Sequence, residues 1–108
     1  MFLYVWLDGC MQTEKHSQHL IDAAALFKLL GNESRLQIML LLAEREHTVS
    51  ELVAVTGMSQ PLISQHLRGL REGGLVKTTR SGKSISYKVA DSHVAHVITD
   101  AVEHVSEH

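Results

Sequence analysis

The sequence predicts a mainly α-helical protein with a small β-hairpin, folded as a winged helix-turn-helix and paired as a homodimer. Three observations predict this fold. Apolar residues recur at helical spacing over most of the chain, a short helix precedes a well-capped helix across a glycine turn, and the period changes to two after Gly74. A length of 108 residues favours one domain. We assign that domain to residues 12–108, with dimerisation helices at both of its ends, and expect residues 1–11 to be a flexible extension.

The first two helices are predicted from their apolar spacing. Residues 12–30 carry apolar side chains at intervals close to one helical turn. Gly31 ends this helix, and Asn32 can cap the next one. The second helix runs from residue 33 to about residue 44 and is apolar nearly all round. A helix without a broad polar face packs in the interior, so we expect this one to be the most buried.

The third and fourth helices form the predicted helix-turn-helix. A short helix begins at Thr48 or Val49 and ends at Gly57. Its inward residues are predicted to be the apolar Leu52, Val53 and Val55. Ser59 caps the fourth helix, and Pro61 fits its first turn, where the missing N–H has no helical partner to lose. The inner stripe of this helix is predicted to comprise Leu62, Ile63, Leu67 and Leu70.

The residues after Gly74 predict a hairpin wing and a last helix. Segments 75–80 and 84–89 have the composition of two strands, and Gly82 lies in the tight turn between them. Alternation in the second strand directs its apolar residues inward, namely Ile85, Tyr87 and Val89. Asp91 then caps a helix that extends to about Ser106.

Charge is unevenly distributed along the chain, although the formal net charge is only −2. Residues 1–58 hold four basic and seven acidic side chains, a net −3, whereas residues 59–90 hold six basic and one acidic, a net +5. Residues 91–108 hold four acidic side chains and neither Lys nor Arg, a net −4. The basic middle suits an anionic partner, and the acidic, histidine-bearing tail suits a cation.

The single cysteine and the apolar start bear on the compartment. One cysteine permits no internal disulfide, and we expect a reducing, cytoplasmic setting. Residues 1–7 are apolar but far too few to span a bilayer, which needs ~20 apolar residues. They also lack the basic start of a signal peptide. We therefore expect no membrane partner.

The fourth helix and the wing carry a candidate surface for double-stranded DNA. In a winged helix-turn-helix this helix enters the major groove and the short helix before it braces it. Gln can pair with adenine, Arg with guanine or phosphate, and Ser with either, while wing residues contact the backbone. The candidate contacts are seven polar or basic residues: Ser59, Gln60, Ser64, Gln65, Arg68, Arg80 and Lys83. His66 adjoins this face and is expected to be partly exposed. The alternative is an amphipathic helix whose polar face is merely solvated.

The last helix carries a candidate metal site. His93 and His104 lie eleven residues apart, which returns them to nearly the same helix face but separates them by about 16 Å along the axis. One ion cannot bridge that distance, because its ligands lie ~2 Å away. An antiparallel second copy of the helix would bring Asp91 and His93 of one protomer to His104 and Glu107 of the other. Two histidines and two carboxylates suit a tetrahedral ion, and twofold symmetry makes two equal sites.

Spacing alone leaves alternatives open in the tail and near the N-terminus. His96 or His108 could replace a carboxylate, or the tail could be an ordinary exposed polar face. A set of four protein ligands leaves no position for a substrate, so an enzyme is disfavoured. A small accessory site could form from Cys10, His16 and His19, although scattered donors on a flexible end are the simpler interpretation.

Several stretches of the chain share one family pattern. They are LLGNESRLQI at residues 29–38, SQPLISQHL at residues 59–67, GLV at residues 74–76, SGK at residues 81–83 leading into Tyr87, and an Asp-x-His-x10-His-x2-Glu tail. With these segments, from about Leu20 to its end, the chain resembles the ArsR/SmtB family of metal-sensing bacterial repressors. The tail spacing resembles the subgroup that has an interprotomer metal site on the fifth helix.

The resemblance implies a homodimer that binds operator DNA when metal-free. Metal at the fifth-helix site lowers DNA affinity and so releases genes for metal efflux or sequestration. The implied ligands are Asp91 and His93 of one protomer with His104 and Glu107 of the partner subunit. The implied effector is Zn(II), with Co(II) and Ni(II) as near competitors.

The chain departs from many relatives at the start of the third helix. Those relatives carry a Cys-x-Cys pair there for soft metals, whereas Thr48 and Ser50 occupy these positions here. We therefore expect no response to soft metals or arsenic. The alternative function is a winged helix-turn-helix repressor that responds to a non-metal signal, such as redox chemistry at Cys10.

Overall fold

The computed structural model describes residues 10–107, and side chains from residue 17 onward. The elements in chain order are α1 (Cys10–Leu30), α2 (Glu33–Glu44), β1 (His47–Thr48), α3 (Val49–Thr56), α4 (Gln60–Glu72), β2 (Val76–Ser81), β3 (Ser84–Val89) and α5 (Ser92–Ser106). This order confirms the predicted mainly α winged helix-turn-helix. Most of the expected N-terminal extension lies outside the described residues. In the described range, no helix is long and apolar enough to cross a membrane.

The wing is a three-stranded antiparallel sheet in the order β1-β3-β2, not the isolated hairpin that the sequence predicted. Strand β1 has two residues, and its His47 pairs with Tyr87 at the centre of β3. Tyr87 also pairs with Thr78 of β2. A strand of two residues has too few positions to show a period, so sequence analysis could not detect it. Gly82 adopts φ 62 at the hairpin tip, a left-handed conformation that glycine accommodates without strain.

The core lies between α2, α4 and the sheet. Helix α2 exposes only polar side chains, at Glu33, Gln37 and Glu44, which confirms the prediction that it is the most buried helix. Its central residues are fully buried, and Ile63, Leu67 and Leu70 of α4 pack into the same cluster. At the other edge Ile98 of α5 closes the core. Burial of these side chains holds α4 by one face and leaves its opposite face open.

Three residues predicted to face inward are instead exposed. Val55 lies about 60° around α3 from the buried Leu52, on the side away from the other core-facing residues of that helix. Leu62 lies about 100° from the buried Ile63 on α4, at the edge of the inner stripe. Ile85 pairs with Arg80 in the outer part of the hairpin, beyond the reach of β1.

The predicted helix caps Asn32, Ser59 and Asp91 are all present, and Thr48, predicted only as a possible start of the third helix, is a cap as well. A side-chain oxygen accepts a backbone N–H at each start: Asn32 from Arg35, Thr48 from Glu51, Ser59 from Leu62 and Asp91 from Val94. Glu51 returns the contact by accepting the Thr48 N–H at 2.8 Å, which completes a capping box. That hydrogen bond holds the pKa of Glu51 below its ordinary value. Thr48, where the resemblance predicted a difference from soft-metal sensors, thus has a structural role as the cap of α3.

Thr48→Ala is expected to lower the free energy of unfolding by about 1–2 kcal/mol, because the first turn of α3 loses the acceptor for the Glu51 N–H. Ser50→Ala is the matched control, since Ser50 is exposed one helical position into α3. Its effect is expected within about 0.5 kcal/mol. Urea unfolding followed by circular dichroism, at one fixed protein concentration, measures both. Equal losses in the two variants would contradict the role given to Thr48.

Candidate DNA-binding surface and metal site

The polar residues predicted to contact DNA all lie at the surface. The buried stripe of α4 faces the core, and this leaves Ser64, Gln65 and Arg68 on its open face. Ser59 and Gln60 lie exposed at the start of the helix, and Arg80 and Lys83 lie exposed on either side of the hairpin tip. The seven residues are therefore accessible to a ligand on the α4 and wing side of the molecule.

A groove separates α4 from the wing. Its volume is about 420 Å³, and Ser64, Arg68 and Arg71 line it on the helix side, opposite Tyr87 of β3. A second groove of about 300 Å³ shares Arg71 and Tyr87 and continues along the wing to Arg80. The two grooves are thus bordered by three guanidinium groups, one phenol and the carboxylate of Glu72, a predominantly cationic combination suited to an anionic backbone.

Sequence analysis missed Arg71 and Tyr87 as part of this surface. Arg71 follows Arg68 by three residues, which places it on the wing side of the same open face. This spacing alone would have predicted that Arg71 belongs to the same surface as Arg68. Tyr87 was assigned to the core by strand alternation, and it is only half-buried. Its ring is long enough to pack against the sheet while its edge borders the groove.

Charge along this surface is not fully neutralised within the chain. Arg68 forms an exposed ion pair with Glu72 at 3.5 Å, one helical turn later. In the described part of the chain, neither Arg71 nor Arg80 has a carboxylate within ion-pairing distance. Exposed ion pairs contribute little, so Arg68 can exchange Glu72 for another anion at small cost.

His66 is buried, contrary to the expectation of partial exposure. Its exposed fraction is 8%. It follows Ile63 by three residues and so shares the inner face of α4. Arg35 of α2 donates a hydrogen bond from Nε to His66 Nδ1 at 3.3 Å. Burial first, and the charge of Arg35 second, lower the pKa of His66 from its ordinary value of 6.5.

The start of α5 holds one pair of the predicted metal ligands. Asp91 caps the helix with Oδ1, and His93 Nδ1 lies 3.6 Å from the same oxygen. The hydrogen bond from the Val94 N–H holds the pKa of Asp91 below its ordinary value, so the carboxylate is ionised at neutral pH. Both side chains are exposed, with 94% of His93 accessible. This pair can therefore reach a ligand outside its own chain.

The other predicted pair lies at the far end of the same helix. His104 occupies the last turn of α5 and Glu107 follows it as the C-terminal cap, both exposed. The helical rise separates this pair from His93 by about 16 Å. Among the described side chains of residues 17–107 of one chain, no three His, Cys, Asp or Glu side chains come close enough to hold a metal ion. One chain therefore supplies two half-sets of donors and not a complete site.

The alternative ligands are only partly described. His96 is exposed one turn after His93, and His19 is exposed on α1. The side chains of Cys10 and His16, and all of His108, lie outside the described residues. The two half-sets on α5 together offer two imidazoles and two carboxylates, the donors that a tetrahedral zinc site uses.

Helices α1 and α5 leave apolar side chains in solvent. The exposed fractions are 62% for Ile21, 59% for Phe27 and 68% for Val105, and Leu20 and Val97 share these two helices. A small cavity of about 100 Å³ between the helices is lined by Leu26, Leu30 and His93, among others. Exposed apolar patches of this kind mark contact surfaces, and this one adjoins His93.

Comparison with known proteins places the chain among bacterial regulators. The family model described as "Bacterial regulatory protein, arsR family" matches residues 32–78, which run from the cap of α2 into β2. The HTH-type transcriptional repressor SmtB of Mycobacterium tuberculosis is 42% identical over 91 residues, covering 83% of this chain and 67% of the relative.

Solved structures agree with the fold. The homodimeric winged helix-turn-helix DNA-binding domain Mb0332 from Mycobacterium bovis superposes with a TM-score of 0.78 at 35% identity, covering 85% of each chain. Reduced HlyU from Vibrio cholerae superposes with a TM-score of 0.72 at 34% identity, covering 80% of this chain and 90% of HlyU. The similarity thus extends over most of the chain.

Proposed function

This chain belongs to the arsR family of bacterial regulatory proteins, and we propose that within this family of transcriptional regulators it is a metal-responsive repressor. In this proposal the metal-free homodimer binds operator DNA. Binding of Zn(II), or of Co(II) or Ni(II), at the α5 dimer interface releases the DNA and allows expression of genes for metal efflux or sequestration. One observation carries the proposal: two pairs of metal donors lie at opposite ends of α5, each too far from the other to share an ion within one chain.

An antiparallel pairing of α5 with its copy joins the half-sets. Asp91 and His93 would then meet His104 and Glu107 of the partner subunit, and the twofold axis repeats the site. The exposed apolar side chains of α1 and α5 support such a pairing, because a second copy would remove them from water. The ionised Asp91 and the open position of His93 support metal binding without rearrangement of the helix start.

The DNA-reading part of the proposal assigns α4 to the major groove. Gln60, Ser64, Gln65 and Arg68 are proposed to contact base edges, while Ser59, Arg80 and Lys83 contact phosphates. The grooves between α4 and the wing add Arg71 and Tyr87 to the phosphate contacts. The local net charge of +5 over residues 59–90 supports an anionic partner at this surface.

A short backbone route connects the proposed metal site to α4. Ala90, directly before Asp91, donates its N–H to Leu75 O at 2.9 Å, and Leu75 donates its own N–H to Leu70 O of α4 at 2.9 Å. A shift of Asp91 would therefore be felt at the last turns of α4. Added cationic charge would favour DNA, so release on metal binding must come from such a change of geometry. Metal and DNA are then linked reciprocally, each weakening the binding of the other.

The experiment is operator binding with and without zinc. A labelled duplex of the DNA upstream of the gene for this chain is titrated with the homodimer, and fluorescence anisotropy measures Kd in a chelator or in excess Zn(II). We expect the Kd to rise at least tenfold with zinc, a coupling of about 1.4 kcal/mol or more. Equal affinity in the two conditions would contradict metal sensing and would favour a regulator that answers another signal, such as redox chemistry at Cys10.

A further inference from the structure

Arg35 connects three helices near the centre of the molecule. It belongs to the first turn of α2, where Asn32 caps its backbone N–H at 3.0 Å. Its guanidinium donates from Nε to His66 Nδ1 of α4 at 3.3 Å and from a terminal nitrogen to the Leu29 carbonyl of α1 at 3.1 Å. One side chain therefore ties the last turn of α1 to the middle of the DNA-reading helix.

A second contact joins the same two segments. Gly73 ends α4, and a Cβ atom at this position would collide with Leu29 Cδ2. Leu29 thus packs closely against the end of α4 with its side chain, while its carbonyl accepts from Arg35. Because α1 carries part of the exposed apolar surface, these contacts place the DNA-reading helix relative to the proposed dimer core.

The chemistry of the Arg35–His66 hydrogen bond restricts the state of the histidine. Arginine is always charged and only donates, so His66 Nδ1 must be unprotonated to accept. Protonation of His66 would turn this acceptor into a donor and would place two cations 3.3 Å apart in a partly buried position. The hydrogen bond therefore exists only with neutral His66, as the Nε2–H tautomer.

We infer that Arg35 and His66 form a proton-sensitive joint that positions α4 on the end of α1, and that acidification opens this joint and weakens DNA binding. Arg35 and His66 are positioning residues here, since neither is assigned a contact with DNA. The predicted effect on DNA affinity rests on the proposed DNA-binding function. The predicted protonation state of His66 rests only on the geometry of its hydrogen bond with Arg35.

Arg35 is the charged group that acts on the pKa of His66 among the described residues. On α4 the adjacent turns present Leu62, Ile63, Gly69 and Leu70, none of which titrates. Between α1 and α4, Asp22 and Glu72 line a cavity with Gly69 and Gly73, and neither contributes to the lowered pKa of His66. A lowered pKa means that the joined state binds fewer protons than the open state, so the joint is most stable above pH 6.5 and is weakened progressively as pH falls below that value.

His66→Gln tests the joint, because the glutamine amide oxygen can accept from Arg35 Nε and does not titrate. Anisotropy with the upstream duplex measures Kd for wild type and variant between pH 7.5 and pH 5.5 at one ionic strength. We expect equal affinity within about twofold at pH 7.5, and up to about tenfold weaker binding of wild type than of the variant at pH 5.5. Parallel pH profiles would overturn the inference, since every other histidine is shared by the two proteins.

A measurement without DNA keeps the inference testable if the variant binds poorly or if the proposed function fails. Nitrogen-15 spectra of the wild-type imidazoles report the tautomer and titration of His66 directly. We expect an unprotonated Nδ1 at pH 7 and protonation below pH 6.5, with loss of the Arg35 Nε–H signal at the same midpoint. An Nδ1–H tautomer, or protonation at pH 6.5 or above, would overturn the joint whatever the DNA result.

Discussion

His93→Ala is expected to lower the zinc affinity of the homodimer at least ~100-fold and to remove both equivalent sites at once. Each proposed site takes His93 from one protomer and His104 from the partner subunit, so one substitution deletes one imidazole from each site. The remaining donors are two carboxylates and one histidine, a set that holds zinc less tightly. The variant should also keep its DNA affinity when zinc is present, because zinc no longer binds tightly at the α5 site and so cannot weaken DNA binding.

The matched control is His96→Ala, which removes an imidazole from an exposed position one turn away on the same helix. Zinc titration with a competing chelator measures both variants and the number of ions per dimer. Wild type and His96→Ala should bind two ions per dimer with similar affinity. If His96→Ala causes the larger loss, His96 is the ligand and the assignment of the α5 set must change.

Acidification offers a second check on the same site. A histidine must be neutral to ligate a metal, so protons compete with zinc and the affinity falls as pH is lowered. Asp91 does not contribute to this competition near neutral pH, because its pKa is held below the ordinary carboxyl value by the Val94 N–H. Zinc affinity should therefore fall with pH, as expected of a site with imidazole ligands. A pH-independent affinity between pH 7.5 and pH 5.5 would argue against imidazole ligands.

The elements that the sequence predicted well are those with local causes. Asn32, Ser59 and Asp91 each have a side-chain oxygen placed to accept a backbone N–H three residues later, and each caps a helix. Such caps depend on neighbours in the sequence and can be recognised without the tertiary structure. The exposed α4 face follows in the same way, from the spacing of Ile63 and Leu67 on its buried side.

The features that sequence reasoning missed depend on distant contacts. Strand β1 exists because His47 pairs with Tyr87, forty residues later. His66 is buried because Arg35, thirty-one residues earlier, satisfies its ring nitrogen. Ile85 shows the converse, since its alternating position predicts burial but none of the described elements covers the outer hairpin.

Lys83→Ala is expected to weaken operator binding and to flatten its dependence on salt. Lys83 follows the hairpin tip and is exposed, so we assign it one phosphate contact in each half of the homodimer. Each lost phosphate contact lowers the slope of log K against log salt by about 0.9, so two lost contacts should lower it by about 1.8. Lys28→Ala on α1 removes the same charge away from the DNA surface and should leave the slope unchanged.

Arg68→Ala should behave differently, and the contrast separates base reading from phosphate binding. Arg68 lies on the open face of α4, and a bidentate contact with guanine is worth about 1–3 kcal/mol of discrimination against the wrong base. The variant should lose preference for the upstream duplex over a scrambled duplex, whereas Lys83→Ala should weaken both duplexes alike. Salt titrations of both variants on both duplexes measure affinity and preference and so distinguish base contacts from phosphate contacts. A loss of preference from Lys83→Ala would mean that the wing reads bases. A uniform loss of affinity from Arg68→Ala would mean that α4 contacts the DNA backbone.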